Sequence, residues 1–193
     1  MTSASTTLEF PDVRDRLGDR SIALVGLMGA GKTTVGRRLA AILGLPFSDS
    51  DHEIEEVSRM SVPELFEAYG EPEFRALEAR VVSRLVQDGP RVLGTGGGAY
   101  INPETRLHLK THAVTVWLKA DLDTLMTRVM KRSNRPLLKT ADPRATMKTL
   151  MDERYPVYAE ADITIASRDV KREVIAAEAA EAVQRFLTSR ATA

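Results

Sequence analysis

The segment that most limits what this chain can fold into is Gly26-Leu-Met-Gly29-Ala-Gly31-Lys32-Thr33, a full match to G-x-x-x-x-G-K-[ST]. An apolar run, Ser21-Ile-Ala-Leu-Val-Gly26, leads into it as a buried parallel strand does. Behind it, Lys32 to Leu43 sets Val35, Leu39, Ile42 and Leu43 on one helical face, and Gly44 stands where a helix-ending glycine belongs. A strand, a glycine-rich turn and a helix in that order make a phosphate cradle. Glycines let the backbone wrap around phosphate oxygens with N–H groups turned inward, and the helix start adds the positive end of its dipole. Lys32 is expected to reach the β- and γ-phosphates, and the Thr33 hydroxyl to ligate Mg²⁺. Gly29, Ala30, Gly31, Lys32, Thr33 and Thr34 are therefore the candidate nucleotide contacts. A turn without a ligand would account for one or two glycines, but not for Lys-Thr directly after the last.

The rest of the chain alternates in the same manner. Short apolar runs at residues 45–48, 91–94, 113–118 and 163–165 read as further strands. Helical patterns fall at 49–59, 73–86, 102–110, 121–131, 144–158 and 170–187, and Ser61-Val-Pro-Glu64 carries a capping-box start. This alternation predicts an α/β fold, a parallel sheet with helices on both faces. Right-handed crossovers then gather the C-terminal ends of the strands along one edge, where ligands of open α/β sheets bind.

Composition narrows the function classes. With 193 residues, one domain is expected, and neither a repeat nor a Pro- or Gly-rich linker divides it. The 27 Lys and Arg balance 27 Asp and Glu, which argues against a nucleic-acid binder that relies on a bulk positive field. Cysteine is absent, which excludes disulfides, zinc thiolate sites and thiol nucleophiles. There is no apolar run of about 18 residues to span a bilayer. The opening MTSASTTLEF has no apolar core like that of a secretory signal, so the cytoplasm is the expected location.

The acceptor of the phosphoryl group must be read elsewhere. No Asn-Lys-x-Asp guanine-reading motif occurs, which lowers a GTPase reading. Asp49 and Asp51 close the second strand and, two apart in extended chain, point the same way. One carboxylate suits a metal beside phosphate, and the other suits a hydroxyl that must be oriented or deprotonated. The competing reading makes Asp51 the cap of the helix that follows. Gly96-Gly97-Gly98 after the third strand lets a ligand approach the backbone and offers N–H donors. Ser133-Asn-Arg135-Pro-Leu-Leu138 interrupts a basic helix end and reads as a lid that brings Arg135 over the phosphates. His52, His108 and His112 lack metal-ligand spacing, while Trp117, Met126, Met130, Met147 and Met151 read as core.

Taken together, GLMGAGKTTVGRRLA, FSDSDHEIE, VPELFEAYGEPEFRALE, TGGGA, RPLL and DERYPVY resemble the bacterial shikimate kinases from Ile22 to about Leu187. The P-loop is widely shared. Gly70-Glu-x-x-Phe-Arg75-x-x-Glu78 and the glycine triplet discriminate best. The resemblance implies a nucleoside-monophosphate-kinase-like α/β/α sandwich with a five-stranded parallel sheet in the order 2-3-1-4-5. It also implies transfer of the ATP γ-phosphoryl to the 3-hydroxyl of shikimate, on the way to chorismate and aromatic amino acids. On that pattern Asp49 holds Mg²⁺ through water beside Thr33, and Asp51 binds the attacking hydroxyl. Arg75 and Arg154 grip the substrate carboxylate, and Gly96, Gly97 and Gly98 line its site. Lys32, Asp51 and Arg135 form the catalytic set, with Arg168 near the adenine. The implied organisation is a mobile extension over 1–20, a single domain over 21–189 and a polar tail over 190–193. Within the domain, a substrate segment falls near 50–80 and a lid near 131–143. Shikimate and ATP are the expected partners, with no nucleic acid and no membrane, and a monomer is the expected state. A gluconate or nucleotide kinase is the alternative enzyme, and a silent nucleotide-binding partner is the alternative of another class.

Overall fold

The computed structural model describes residues 10–131, 138 and 140–191. Arg135, most of the expected lid and residues 1–9 lie outside the described residues. The strands are β1 (Ser21–Val25), β2 (Phe47–Asp49), β3 (Val92–Gly94), β4 (Ala113–Lys119) and β5 (Ile163–Ala166), all parallel and ordered β2-β3-β1-β4-β5. β1 is the central strand and its five residues are all buried, as a strand covered on both faces must be. Its register, Ile22 opposite Val92 and Val114, is the centre of the core.

The helices are α1 (Pro11–Leu17), α2 (Lys32–Leu43), α3 (Ser50–Ser58), α4 (Val62–Gln87), α5 (Pro103–His112), α6 (Leu122–Val129), α7 (Pro143–Tyr158) and α8 (Arg172–Ala191). Local chemistry fixes several of the ends. α2 starts at the last P-loop glycine and stops at Gly44 in the left-handed conformation. Ser61 and Glu64 form the reciprocal capping box of α4. Gly70, at φ 79° and ψ 171°, breaks α4 into two stretches just before Pro72. This turn brings Phe74, Arg75 and Glu78 round to the sheet's C-terminal edge.

Four sequence expectations need correction. Residues 11–17 are a helix rather than a mobile extension, because Phe10, Val13 and Leu17 bury themselves in the core. α8 runs on to Ala191, past the expected start of the tail. β2 begins at Phe47, since Leu45 and Pro46 are still leaving the turn that Gly44 makes. Met147 is buried and Met126 and Met151 pack on the core, but Met130 is exposed at the end of α6.

Candidate active site

The P-loop folds as its glycines demand. Gly29 and Gly31 take φ of 82° and 95°, backbone that side chains with a Cβ rarely adopt. Gly31 caps α2 with no side-chain cap hydrogen bond among the described residues, and the N–H groups of the helix start face the loop where phosphate would lie. The Lys32 ammonium donates to the carbonyls of Gly26 at 2.7 Å and Leu27 at 3.0 Å. A cavity of about 300 Å³ opens over this loop, with Lys32, Thr33, Thr34, Asp49 and Asp51 in its wall.

Asp49 works with both oxygens. Oδ1 accepts from the backbone N–H of Asp51 and His52 and so caps α3, while Oδ2 accepts from the Thr33 hydroxyl at 2.6 Å. The cap of this helix is thus Asp49, and Asp51, in its first turn, lines the cavities. A hydroxyl and a carboxylate side by side at the phosphate cradle are hard oxygen donors of the kind Mg²⁺ selects. Among the described residues no cluster of three or more His, Cys, Asp or Glu could hold a metal by itself. Any cation here would share its shell with phosphate and water.

A second cavity, of about 90 Å³, lies beside the first, and Met28, Asp51 and Gly97 line both. Its walls carry Arg75 and Arg154, two cations aimed at one small space, with Phe66 and Phe74 as an apolar side. Arg75 donates to Glu78 at 2.7 Å and to Glu71 at 3.1 Å, and lies over the Phe74 ring at 5.2 Å. Glu78 is 2% exposed and its Oε1 has no hydrogen-bond partner among the described residues. Burial pushes its pKa up, against the pull of Arg75.

The glycine triplet is where these groups meet. A Cβ on Gly98 would stand 2.4 Å from the Arg75 guanidinium, and one on Gly96 would stand 2.4 Å from Glu78 Oε1 and 2.8 Å from Asp51 Oδ1. The Gly96 N–H donates to the buried Ser50 hydroxyl at 2.9 Å, which ties the triplet to α3. The structure thus brings Lys32, Thr33, Asp49, Asp51, Arg75, the triplet and Arg154 together.

Arg168 does not join them. Its guanidinium pairs with Glu178 at 2.6 Å, and only its carbonyl turns inward, accepting from Arg128 at 2.8 Å. The cations that do line the nucleotide cavity from α6 and α8 are Arg128 and Arg172. Arg128 is fixed by Ser167 at 2.9 Å and by the Gly29 carbonyl at 3.2 Å, and burial together with the Arg172 charge pulls its pKa down. Sequence reading missed Arg172, Ser50 and the contact of Glu78 with Arg75. The Arg75-x-x-Glu78 spacing, one helical turn, was the available signal for the last. A wider groove between α4 and α5, of about 670 Å³, holds none of these residues.

Comparison with known proteins identifies the family. A family model described as shikimate kinase matches residues 28–184. A shikimate kinase of Mesorhizobium japonicum is 64% identical over 170 residues, covering 88% of this chain and 84% of the relative. The solved shikimate kinase of Acinetobacter baumannii, in complex with shikimate, superposes with a TM-score of 0.85 at 37% identity, covering 92% of this chain and 98% of that one. A gluconokinase of Sinorhizobium meliloti, at 18% identity and a TM-score of 0.61 with 95% and 97% covered, shares the fold alone. The P-loop is common ground for all such kinases, whereas the match in identity is to one branch of them, and the chain belongs to the shikimate kinase family.

Proposed function

We propose that this chain transfers the γ-phosphoryl group of ATP to the 3-hydroxyl of shikimate, giving 3-phosphoshikimate and ADP. The observation that carries the reading is Asp51, which lines both the P-loop cavity and the cavity of the two arginines. A carboxylate at that junction stands where a hydroxyl must meet a γ-phosphate. Asp51 orients the hydroxyl and takes its proton as the new O–P bond forms and the bond from the γ-phosphorus to ADP breaks. Arg75 and Arg154 hold the shikimate carboxylate, a task that suits planar guanidinium groups.

On the nucleotide side, Lys32 exchanges the carbonyls of Gly26 and Leu27 for phosphate oxygens, and the N–H groups at the α2 start bind others. Arg128 and Arg172 extend this basic wall. Thr33 and Asp49 would hold Mg²⁺, which neutralises phosphate charge when bound. Arg135 acts from the lid, a role that rests on the sequence. We read the working form as a cytoplasmic monomer that binds no nucleic acid. Among the described residues no helix is long and apolar enough to cross a membrane.

The test is ADP release with Mg-ATP against shikimate, gluconate, a nucleoside monophosphate and no acceptor. Release with shikimate alone is the expected result. Release with another acceptor would keep the kinase and discard the acceptor assignment, and release with none would favour a silent nucleotide binder.

A further inference from the structure

Beneath the glycine triplet, β4 and α7 pack an aromatic cluster around Trp117, Tyr155 and Tyr158. The Trp117 ring is 5.0 Å from Tyr155 and 6.0 Å from Tyr158, and the two tyrosines are 6.3 Å apart. As filler for this space, phenylalanine would serve as well as either tyrosine, so the hydroxyls need a separate reason. They go to different places. Tyr155 donates to the Ala120 carbonyl, just past the end of β4, and neither residue lines either cavity. Tyr158, wholly buried, donates to the Gly97 carbonyl. Arg154 Nη1 donates to the same carbonyl at 3.4 Å.

That shared oxygen belongs to a residue lining both cavities. No peptide bond in the described chain is cis, so the Gly97–Gly98 peptide is planar and trans. Fixing the carbonyl of Gly97 therefore also fixes the N–H of Gly98, which points the opposite way. Gly98 is in turn the floor against which the Arg75 guanidinium lies. One hydroxyl on α7 thus bears on the Gly97 carbonyl, on Arg154 and, through Gly98, on Arg75. Without it, the carbonyl keeps, among the described residues, only the longer contact from Arg154, a weaker tie between that cation and the triplet.

We infer that Tyr158 is a positioning residue for the acceptor, holding Arg154 and the Gly97–Gly98 peptide in the arrangement that receives the shikimate carboxylate and ring. It touches no reacting atom. The inference rests on the reading of the two-arginine cavity as the shikimate site.

Tyr158→Phe and Tyr155→Phe form a matched pair, each removing one tyrosine hydroxyl from the same helix and the same cluster. Steady-state rates are measured with shikimate and with ATP varied in turn, and melting temperatures are recorded for both variants. Tyr158→Phe is expected to raise KM for shikimate about tenfold, the loss of one hydrogen bond to a buried acceptor, with KM for ATP unchanged. Tyr155→Phe is expected to leave both constants unchanged. A shikimate KM unmoved in Tyr158→Phe, or moved equally in Tyr155→Phe, overturns the inference. If the unaltered protein shows no rate that depends on shikimate, the acceptor assignment fails first and takes the inference with it.

A measurement on the unaltered protein covers the case of a Tyr158 variant that does not fold. Trp117 is the single tryptophan and touches Tyr158. Shikimate is expected to change its emission along a saturable curve, and flat emission at shikimate concentrations that saturate turnover counts against the link.

Discussion

A methyl group on Gly98 would meet the Arg75 guanidinium at 2.4 Å, yet Gly98 itself has an ordinary φ of −98°. Alanine there strains no backbone and collides only with the end of a flexible side chain. Because pushing Arg75 aside loosens its pair with the buried Glu78, Gly98→Ala is expected to lower stability by about 1–3 kcal/mol. Shikimate binding should weaken as Arg75 is pushed from its place. Equilibrium unfolding and a shikimate titration on the same variant check the pair of outcomes, and unchanged binding would remove Arg75 from the site. Arg154→Ala should cost shikimate binding about 2–5 kcal/mol, the range for losing one partner of a buried charge pair. An unchanged KM for shikimate in that variant would place the carboxylate site elsewhere. Lys32→Ala should abolish turnover while leaving the melting temperature in place, because the Lys32 ammonium stands at the wall of the cavity, on the loop carbonyls of Gly26 and Leu27, and not in the core.

At the scale of elements, the parts best read from the sequence are those whose signals are local. α2 has its exact limits because a P-loop glycine starts it and Gly44 ends it. The α4 capping box and the position of β4 are equally local. β2 was misplaced because its three residues carry too little pattern to separate strand from turn. The candidate site divides along the same line. Lys32, Thr33 and Asp49 are legible from motif and spacing, since they follow directly from the ends of β1 and β2. Arg75 and Arg154 are visible only through resemblance, because nothing local marks one helical arginine from its neighbours. Arg172 and Tyr158 were not legible at all, as their places depend on how α7 and α8 pack on the sheet.

That packing has a titration signature. Burial pushes both Tyr155 and Tyr158 from 10.0 up to about 12. The fold therefore favours their neutral forms, and the stability this supplies is complete below pH 10 and lost as pH rises toward 12. Absorbance titration should show these two phenols ionising well above pH 10, with the fold weakening over that window. Ionisation of Tyr155 and Tyr158 near pH 10 in the folded protein would show that the cluster is open to water.

For the molecule as a whole, the unexpected element is α1, which precedes the span matched by the family model. It packs against α8 and α2. α2 begins at the P-loop and α8 begins at Arg172, so both helices under α1 end in the wall of the nucleotide cavity. Two roles are then possible for α1, support of the core or control of the nucleotide site, and one substitution separates them. Leu17 is 1% exposed and lies in the core cluster. Leu17→Ala removes buried methyl groups and leaves a cavity, at a cost of about 2–5 kcal/mol. Each kcal/mol should lower the melting temperature by about 2–4 °C in a domain of this size. α1 packs on α2 and α8 but lines no part of the nucleotide cavity, so KM for ATP well below the melting temperature is expected to stay unchanged. A drop in stability with intact kinetics makes α1 a brace for the core. A raised KM for ATP in a protein that is still folded would mean that α1 sets the spacing of Gly31 and Arg172 across the phosphate cradle.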